Sequence, residues 1–168
     1  MNDLRQTMPE VFVGCGSNIE PEQNLRWALT ELERHFGPLR CSRVYRSPAY
    51  GFTGPDFLNL VVAFAARSDA DAIETVLSNL ENQSGRDTGE RSGSRTLDLD
   101  LLLCGLQVDA KRRLPRVDIL RYPFVLAPLA EIAPKLIHPV TGERISSAWE
   151  AAAGDDRSLT PLGALAAA

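Results

Sequence analysis

The chain has 168 residues, of which 44% are hydrophobic and 24% charged, and its formal net charge is -4 at pH 7. This composition is that of an ordinary globular protein and excludes a disordered or fibrous chain. It also argues against broad, nonspecific nucleic-acid binding, which depends on a basic surface. The length predicts a single domain, residues 1–168, that can bury a hydrophobic core without disulfides.

The three cysteines are Cys15, Cys41 and Cys104, widely spaced within apolar segments. This spacing predicts neither a disulfide framework nor a metal-binding CxxC pair, and free thiols are typical of a reducing cytosol. The N-terminal residues MNDLRQTMPE lack the apolar centre of a signal peptide, and no run approaches the ~20 apolar residues that span a bilayer. We therefore expect a cytoplasmic protein with no membrane partner.

Hydrophobic patterning in the first part of the chain predicts the order β-α-β-β. The apolar run from Val11 to Gly14 indicates a strand that enters a tight turn at GCGSN. Pro21 then opens a helix with leucines along one face, and Gly37 followed by proline ends it. Three further segments follow: a strand at 39–46, a loop at 47–56 and a strand at 57–66.

The second part of the chain completes a known arrangement. Asp69 caps a predicted helix at 70–83, and a strand follows at 96–104. The order β-α-β-β-α-β is the split βαβ unit, so we expect a ferredoxin-like α+β fold, an antiparallel sheet with helices packed on one side. Two later segments complete the prediction: short helices at 124–132 and 146–153 as peripheral C-terminal additions to a core of about 11–140, and a weakly ordered tail at 154–168.

Residues 94–103, SRTLDLDLLL, place two carboxylates within an apolar strand. Side chains alternate along a strand, so Asp98 and Asp100 share one face while the leucines between and beside them point to the other. Carboxylates roughly 5 to 7 Å apart on a half-buried face repel each other and lose hydration. Both stay ionised only if a cation compensates them, and the candidates are Arg95 and a divalent metal.

The loop before this strand, GRDTGERSGS at 85–94, is rich in arginine and glycine. Arg86, Arg91 and Arg95 fall within ten residues of one another. Arginines beside carboxylates can simply neutralise them, which is the usual explanation for a surface cluster. They also suit a triphosphate, with metal on the carboxylates and guanidinium groups on the phosphate oxygens. The combination favours phosphoryl chemistry.

Five motifs give the chain a family resemblance. They are GSN at 16–18, YRSPAYG at 45–51, PDFLN at 55–59, SRTLDLDLLL at 94–103 and FVLAPLAEIAP at 124–134. On these motifs the chain resembles the 6-hydroxymethyl-7,8-dihydropterin pyrophosphokinases of folate biosynthesis. The motifs occur in the same order as in that family and cover roughly residues 11–140.

The resemblance implies a ferredoxin-like fold, ATP as co-substrate, and pyrophosphate transfer to the 6-hydroxymethyl oxygen of a pterin with AMP as second product. By this resemblance Asp98 and Asp100 hold two Mg²⁺ ions, which align the phosphates and neutralise their charge. Arg86 and Arg95 match the catalytic arginines that contact the transferring group. The residues implied in nucleotide binding are Glu81, Arg91, Arg113 and Arg116.

The resemblance also implies a pterin site. Phe57 and Phe124 match the aromatic pair that sandwiches the pterin ring, although aromatic side chains alone would be assigned to the core. Asn59 matches the amide that bonds the ring edge, and a buried amide without a partner would cost ~1 to 3 kcal/mol. The backbone of four consecutive residues completes the polar wall: Ser47, Pro48, Ala49 and Tyr50.

The chain departs from the family pattern at four positions, which we expect to lie mainly on the nucleotide side. Ser92 replaces a tryptophan, Ser78 a glutamine, Arg116 a histidine and Tyr122 an arginine. These departures motivate an alternative to the monomeric pyrophosphokinase: a divergent homologue that binds a pterin with weak or no transfer. A metal-dependent phosphodiesterase is a third hypothesis, which the lack of a histidine-rich ligand set disfavours.

Overall fold

The computed structural model describes residues 8–85, 93–152 and 158–167. Within them the strands are β1 (Glu10–Ser17), β2 (Arg40–Cys41), β3 (Tyr45–Ser47), β4 (Phe57–Ala65), β5 (Asp98–Cys104) and β6 (Thr160–Pro161). The helices are α1 (Pro21–Phe36), α2 (Ala70–Gln83), α3 (Asp118–Arg121), α4 (Pro123–Ile132) and α5 (Ile145–Ala152). The predicted β-α-β-β-α-β order is confirmed, with the second strand interrupted to give β2 and β3.

These strands form one antiparallel sheet in the order β5-β1-β4-β3-β6, and β2 pairs with β4 beside β3. The register places Gly16 beside Asp98 and Gly14 beside Asp100 on the neighbouring strands β1 and β5. On its other side β1 pairs with β4, where Gly16 faces Asn59. The three neighbouring strands β5, β1 and β4 therefore bring the acids, the glycines and the amide together in the sheet.

The first hydrophobic core lies between the sheet and the helices α1 and α2. Because strand side chains alternate, Val13 and Cys15 of β1 face this core together with Leu99 and Leu101 of β5. Leucines spaced along α1 and aliphatic residues of α2 cover them: Leu25, Leu29, Leu32, Ile73, Leu77 and Leu80. The ferredoxin-like α+β class predicted from the sequence is confirmed.

A second core covers the opposite face of the sheet. Phe12, Val61 and Leu102 point to this side and pack with Leu126 and Leu129 of α4, and α5 completes the cluster. The C-terminal helices are therefore not peripheral, as the sequence suggested, since they bury the second face. The acidic residues of β5 lie on this same face, because they alternate with the leucines of the first core.

The ends of the helices agree with the sequence signals. Pro21 stands at the start of α1, where its missing N–H is not needed, and Gly37 ends the helix with a φ of 84°. The Asp69 carboxylate accepts the N–H of Ala72 at 2.8 Å and caps α2 as predicted. No helix among the described residues has both the length and the apolar character to cross a membrane.

The described residues correct three expectations. GCGS at 14–17 continues β1 and is not a turn. Its two glycines lack side chains and so leave room beside the strand. The strand expected at 39–46 divides at Ser42, whose hydroxyl accepts the N–H of Val61 at 3.0 Å. The tail was expected to be weakly ordered; its described part pairs β6 with β3, and the N–H of Leu162 donates to the Val44 carbonyl at 2.7 Å. Residues 153–157 lie outside the described residues.

Candidate active site

The acidic pair, Asp98 and Asp100, lines a cavity of about 320 Å³ on the second face of the sheet. Gly14 and Gly16 on β1 line it too, so the cross-strand neighbours of both carboxylates lack side chains. We call this space the first cavity. Its volume is at the lower end of the roughly 300–1,000 Å³ of small-molecule sites.

A second cavity, of about 340 Å³, lies along β5 at the edge of the sheet. Helix α2 contributes its other wall, including Ser78 and Glu81. Four charged residues line both cavities: Arg95, Asp98, Asp100 and Arg116. The acidic pair and two arginines thus form a charged wall shared by two binding spaces.

Charge at the shared wall is unbalanced. The Arg116 guanidinium pairs with Asp100 through Nη2 and donates a hydrogen bond to Asp118 through Nε, both at 2.9 Å. Burial and the neighbouring Asp98 carboxylate nevertheless raise the pKa of Asp100 to about 7, because one guanidinium offsets only part of their effect. Asp118 in the first cavity and Glu81 in the second add carboxylates beside the acidic pair, so the described carboxylates around the wall outnumber its two arginines. Such an excess of negative charge favours binding of a cation.

The donor set fits Mg²⁺. Magnesium prefers hard oxygen ligands and usually binds through one or two carboxylates while substrate phosphates and water complete its shell. Asp98 and Asp100 supply two such carboxylates on adjacent same-face positions of β5. Among the described residues no group of three or more His, Cys, Asp or Glu is arranged to hold a metal by itself. The remaining ligands would have to come from a phosphate substrate and water.

Glu81 of α2 is hydrogen-bonded to the strand that carries the acidic pair. Its buried carboxylate accepts the backbone N–H of Leu99 at 2.8 Å, and Leu99 lies between the two aspartates. This bond ties α2 to the edge strand and fixes the position of the acidic pair. The implied contact of Glu81 with nucleotide stays a prediction, although Glu81 does line the second cavity.

Aromatic side chains form the outer wall of the first cavity. Phe57 of β4 and Phe124 of α4 both line it, as the sequence predicted. Tyr122 stacks on Phe124 with 5.1 Å between ring centroids, and Tyr50 meets Tyr122 edge-on at 5.2 Å. Phe52 meets Phe57 edge-on at 6.2 Å, a contact that the sequence reasoning missed. A flat ring would find apolar faces here.

Polar groups occupy the inner end of the same cavity. The buried Asn59 amide donates to Ser47 Oγ at 3.0 Å, and both residues line the cavity with Pro48 and Tyr50. Space here is tight, because a Cβ added to Gly16 would lie 2.9 Å from Asn59 Oδ1. Ala49 lines a smaller neighbouring cavity of about 190 Å³ and not the first one.

The GSN motif joins the loops around the first cavity. Ser17 Oγ donates to the Thr96 carbonyl at 2.6 Å, and Asn18 Nδ2 donates to the Pro55 carbonyl at 3.2 Å. Asn18 Oδ1 also accepts the backbone N–H of Arg95 at 2.8 Å. The sequence offered Asn18 or Glu20 as the start of α1, and Glu20 is the residue at that position. It gave Asn18 no role in the site, although two polar residues directly after a buried strand were the signal.

The predicted site residues are brought together unequally. Arg95, Arg116 and the acidic pair meet at the shared wall, and the aromatic and amide residues meet in the first cavity. Arg113 lies in a turn where its N–H donates to Ala110, and neither cavity includes it among its described lining residues. Three positions lie outside the described residues: Arg86, Arg91 and Ser92.

Comparison with known proteins gives a family match over most of the chain. The model of the 7,8-dihydro-6-hydroxymethylpterin-pyrophosphokinase family matches residues 12–134. A relative from Synechocystis sp. is 40% identical over 149 residues, which cover 85% of this chain and 76% of the relative. A relative from Haemophilus influenzae is 33% identical over 138 residues, which cover 79% and 86%. Both are named 2-amino-4-hydroxy-6-hydroxymethyldihydropteridine pyrophosphokinase.

Solved structures share the fold. A crystal structure of HPPK-DHPS in complex with substrates has a TM-score of 0.77 at 11% identity, covering 93% of this chain and 47% of that one. HPPK-DHPS of Plasmodium falciparum has a TM-score of 0.73 at 11% identity, covering 92% and 48%. This chain therefore spans about half of the length of those proteins.

The fold and the site define an α+β protein in which a charged wall separates two small-molecule cavities, an arrangement suited to group transfer between two bound ligands. The family match and the two named relatives identify the class as a diphosphotransferase. The chain belongs to the 7,8-dihydro-6-hydroxymethylpterin-pyrophosphokinase family. The resemblance found in the sequence motifs is thereby confirmed.

Proposed function

We propose that this protein transfers pyrophosphate from ATP to 6-hydroxymethyl-7,8-dihydropterin in folate biosynthesis, with AMP as the second product. One observation carries the proposal: the acidic pair and two arginines line both cavities at once. A group that passes from a ligand in one cavity to a ligand in the other must cross this wall. The family match and the relatives' names support the same reaction.

The first cavity is our proposed pterin site. Phe57 and Phe124 would hold the two faces of the ring, and Asn59 with Ser47 would bond its polar edge. The backbone of Pro48, Ala49 and Tyr50 would complete the edge contacts. In this pose the ring's hydroxymethyl group would point toward the acidic pair, because the same cavity extends to Asp98 and Asp100.

The second cavity is our proposed nucleotide site. Arg95 and Arg116 would bind the phosphate chain beside the acidic pair, and Ser78 lines the α2 side. The predicted contributions of Arg86, Arg91 and Arg113 remain expectations from the family resemblance. Glu81 would act by holding Leu99, and hence β5, in place.

Magnesium is the proposed metal, with Asp98 and Asp100 as its protein ligands and two ions expected. When bound, it would neutralise phosphate charge and favour in-line displacement. In the reaction the pterin hydroxyl oxygen forms a bond to the β-phosphorus of ATP, and the bond from that phosphorus to the α-phosphate bridging oxygen breaks. AMP leaves with the bridging oxygen, and the hydroxyl proton is released to water. The chain's own contribution is to align the two ligands and to supply cations to the phosphates.

Measuring AMP release from ATP, with and without the pterin, tests the reaction. We expect AMP only when ATP, pterin and Mg²⁺ are all present. Asp98→Asn and Asp100→Asn should each lower the rate by about 10²–10³-fold while leaving the circular dichroism spectrum unchanged. Asp71→Asn is the matched control, because Asp71 is exposed and pairs with Arg112 on the surface.

The same assay separates the alternatives. Pterin binding with no AMP release under any of these conditions would favour the divergent homologue that binds without transfer. No finding from the comparisons supports that alternative. Full activity in either aspartate variant at ordinary Mg²⁺ concentration would refute the metal assignment.

We further propose that the protein acts as a single-domain monomer in the cytoplasm. The residues that we propose to bind pterin, nucleotide and metal all belong to this one chain. Cys15, Cys41 and Cys104 are free thiols, which suits a reducing compartment. Light scattering during size-exclusion chromatography should give a mass near 18.4 kDa; twice this mass would contradict the monomer.

A further inference from the structure

Arg116 is placed to do more than bind phosphate. Its guanidinium bridges two carboxylates: Nη2 forms an ion pair with Asp100 at 2.9 Å, and Nε donates a hydrogen bond to Asp118 at 2.9 Å. Its backbone N–H donates to the Leu102 carbonyl at 2.9 Å, which anchors the residue to β5. The main chain is thus fixed beside the acidic pair, whereas the side chain, 24% exposed, ends between the two cavities.

We propose that Arg116 is an internal counter-ion that competes with the divalent cation for Asp100 until a nucleotide phosphate draws the guanidinium away. This inference rests on the proposed function, because it takes Asp100 as a metal ligand. Without nucleotide, the guanidinium occupies an oxygen of Asp100 that the metal would use. With nucleotide, the phosphates offer it a stronger partner and free that oxygen for the metal.

Asp118 explains how the guanidinium can change partner without being lost from the site. It binds Nε, whereas Asp100 binds Nη2, so the contact to Asp118 can persist while Nη2 turns from carboxylate to phosphate. The consequence is coupling: metal alone binds weakly, and metal and nucleotide strengthen each other's binding by the same factor.

Arg95 provides the matched control. It lines the same two cavities and carries the same charge, but its guanidinium donates to the carbonyl oxygen of Ser94. Removing Arg95 therefore changes the net charge of the shared wall without removing a competitor from Asp100. Comparing variants at the two positions separates a specific contact from general electrostatics.

The experiment measures Mn²⁺ binding to the purified protein by electron paramagnetic resonance, with and without α,β-methylene ATP. Arg116→Gln and Arg116→Met should bind Mn²⁺ alone about tenfold more tightly than wild type, since the ion pair with Asp100 no longer competes. Arg95→Gln should change this affinity by less than about threefold. The gain in Mn²⁺ affinity on adding the nucleotide analogue should be at least about threefold smaller in the Arg116 variants than in wild type.

Several results would overturn the inference. Unchanged or weaker Mn²⁺ binding in the Arg116 variants would do so, and so would equal tightening in Arg95→Gln, which would leave net charge as the cause. Loss of the fold in both Arg116 variants would make Arg116 a structural residue and would also reject it. If wild type binds no Mn²⁺ even with the analogue, the proposed metal site fails first, which distinguishes that failure from this one.

Discussion

Replacing Gly16 with alanine tests the proposed pterin site most directly. The added Cβ would lie 2.9 Å from Asn59 Oδ1, a distance that real Cβ atoms do not tolerate. Either the amide of Asn59 moves or the two strands separate. Because Asn59 is 8% exposed and donates to Ser47 Oγ at 3.0 Å, any movement breaks a buried hydrogen bond.

The expected size follows from that bond. A buried polar group that loses its partner costs about 1–3 kcal/mol, and about 1.4 kcal/mol corresponds to a tenfold change in an equilibrium constant. Since the moved amide is also our proposed contact for the pterin edge, the Kd for the pterin should rise about tenfold. The Kd for the ATP analogue should change less than about twofold, because Gly16 does not line the second cavity.

Isothermal titration calorimetry with each ligand separately measures both constants. The control is Gly14→Ala, which adds the same methyl group to the same strand face two residues away. There the new Cβ would lie 3.6 Å from Leu102, an ordinary contact, so pterin affinity should stay within about threefold of wild type. Equal pterin affinity in Gly16→Ala and wild type would refute the role given to Asn59, and equal weakening in both variants would show that bulk alone is responsible.

Three further predictions concern stability and metal. Burial acts to raise the pKa of Glu131, but hydrogen bonds led by that from the Tyr45 hydroxyl hold it below its ordinary value of 4.5. The ionised Glu131 carboxylate therefore stabilises the folded protein above about pH 4.5, and this stabilisation is lost as the carboxylate is protonated at lower pH. The Tm difference between wild type and Glu131→Gln should accordingly shrink from about pH 6 to about pH 3. A constant difference would contradict this. Glu81→Ala should lower the free energy of unfolding by about 1–3 kcal/mol, measured in urea, because it strands the Leu99 N–H; an unchanged midpoint would argue against that contact. Removing divalent metal with EDTA should abolish binding of the ATP analogue and leave pterin binding intact, and calorimetry showing both unchanged would exclude a metal-dependent nucleotide site.

Local signals predicted most of the fold. The Asp69 cap and the apolar spacing of α2 gave that helix its bounds, since both are properties of neighbouring residues. The glycines at 14 and 16 were misassigned to a turn, because a sequence does not show that the strands on either side need the space. The second core was missed for a related reason: α4 is apolar on most sides, and only the sheet it covers reveals that it belongs to the centre of the protein.

The same distinction applies to the site. Alternation along β5 predicted that Asp98 and Asp100 would share a face, and the family resemblance predicted the aromatic pair. The ion pair of Arg116 with Asp100 could not be predicted, because the two residues are far apart in sequence and meet only where the chain returns alongside β5. Contacts that depend on tertiary packing cannot be predicted from the periodicity of residues along the sequence.

The family departures redistribute charge and do not remove it. Ser78 and Arg116 line the second cavity as expected, but Tyr122 lines the first, where it stacks on Phe124. A tyrosine there extends the aromatic wall and adds no cation, so this departure lies at our proposed pterin site, whereas the sequence led us to expect the departures mainly on the nucleotide side. The cation lost at 122 is matched by one gained at 116, where the family histidine is replaced by a residue that is charged at all relevant pH values. The positive charge thus lies in the wall between the cavities, where by our proposal it would oppose metal before nucleotide binds and contact phosphate afterwards.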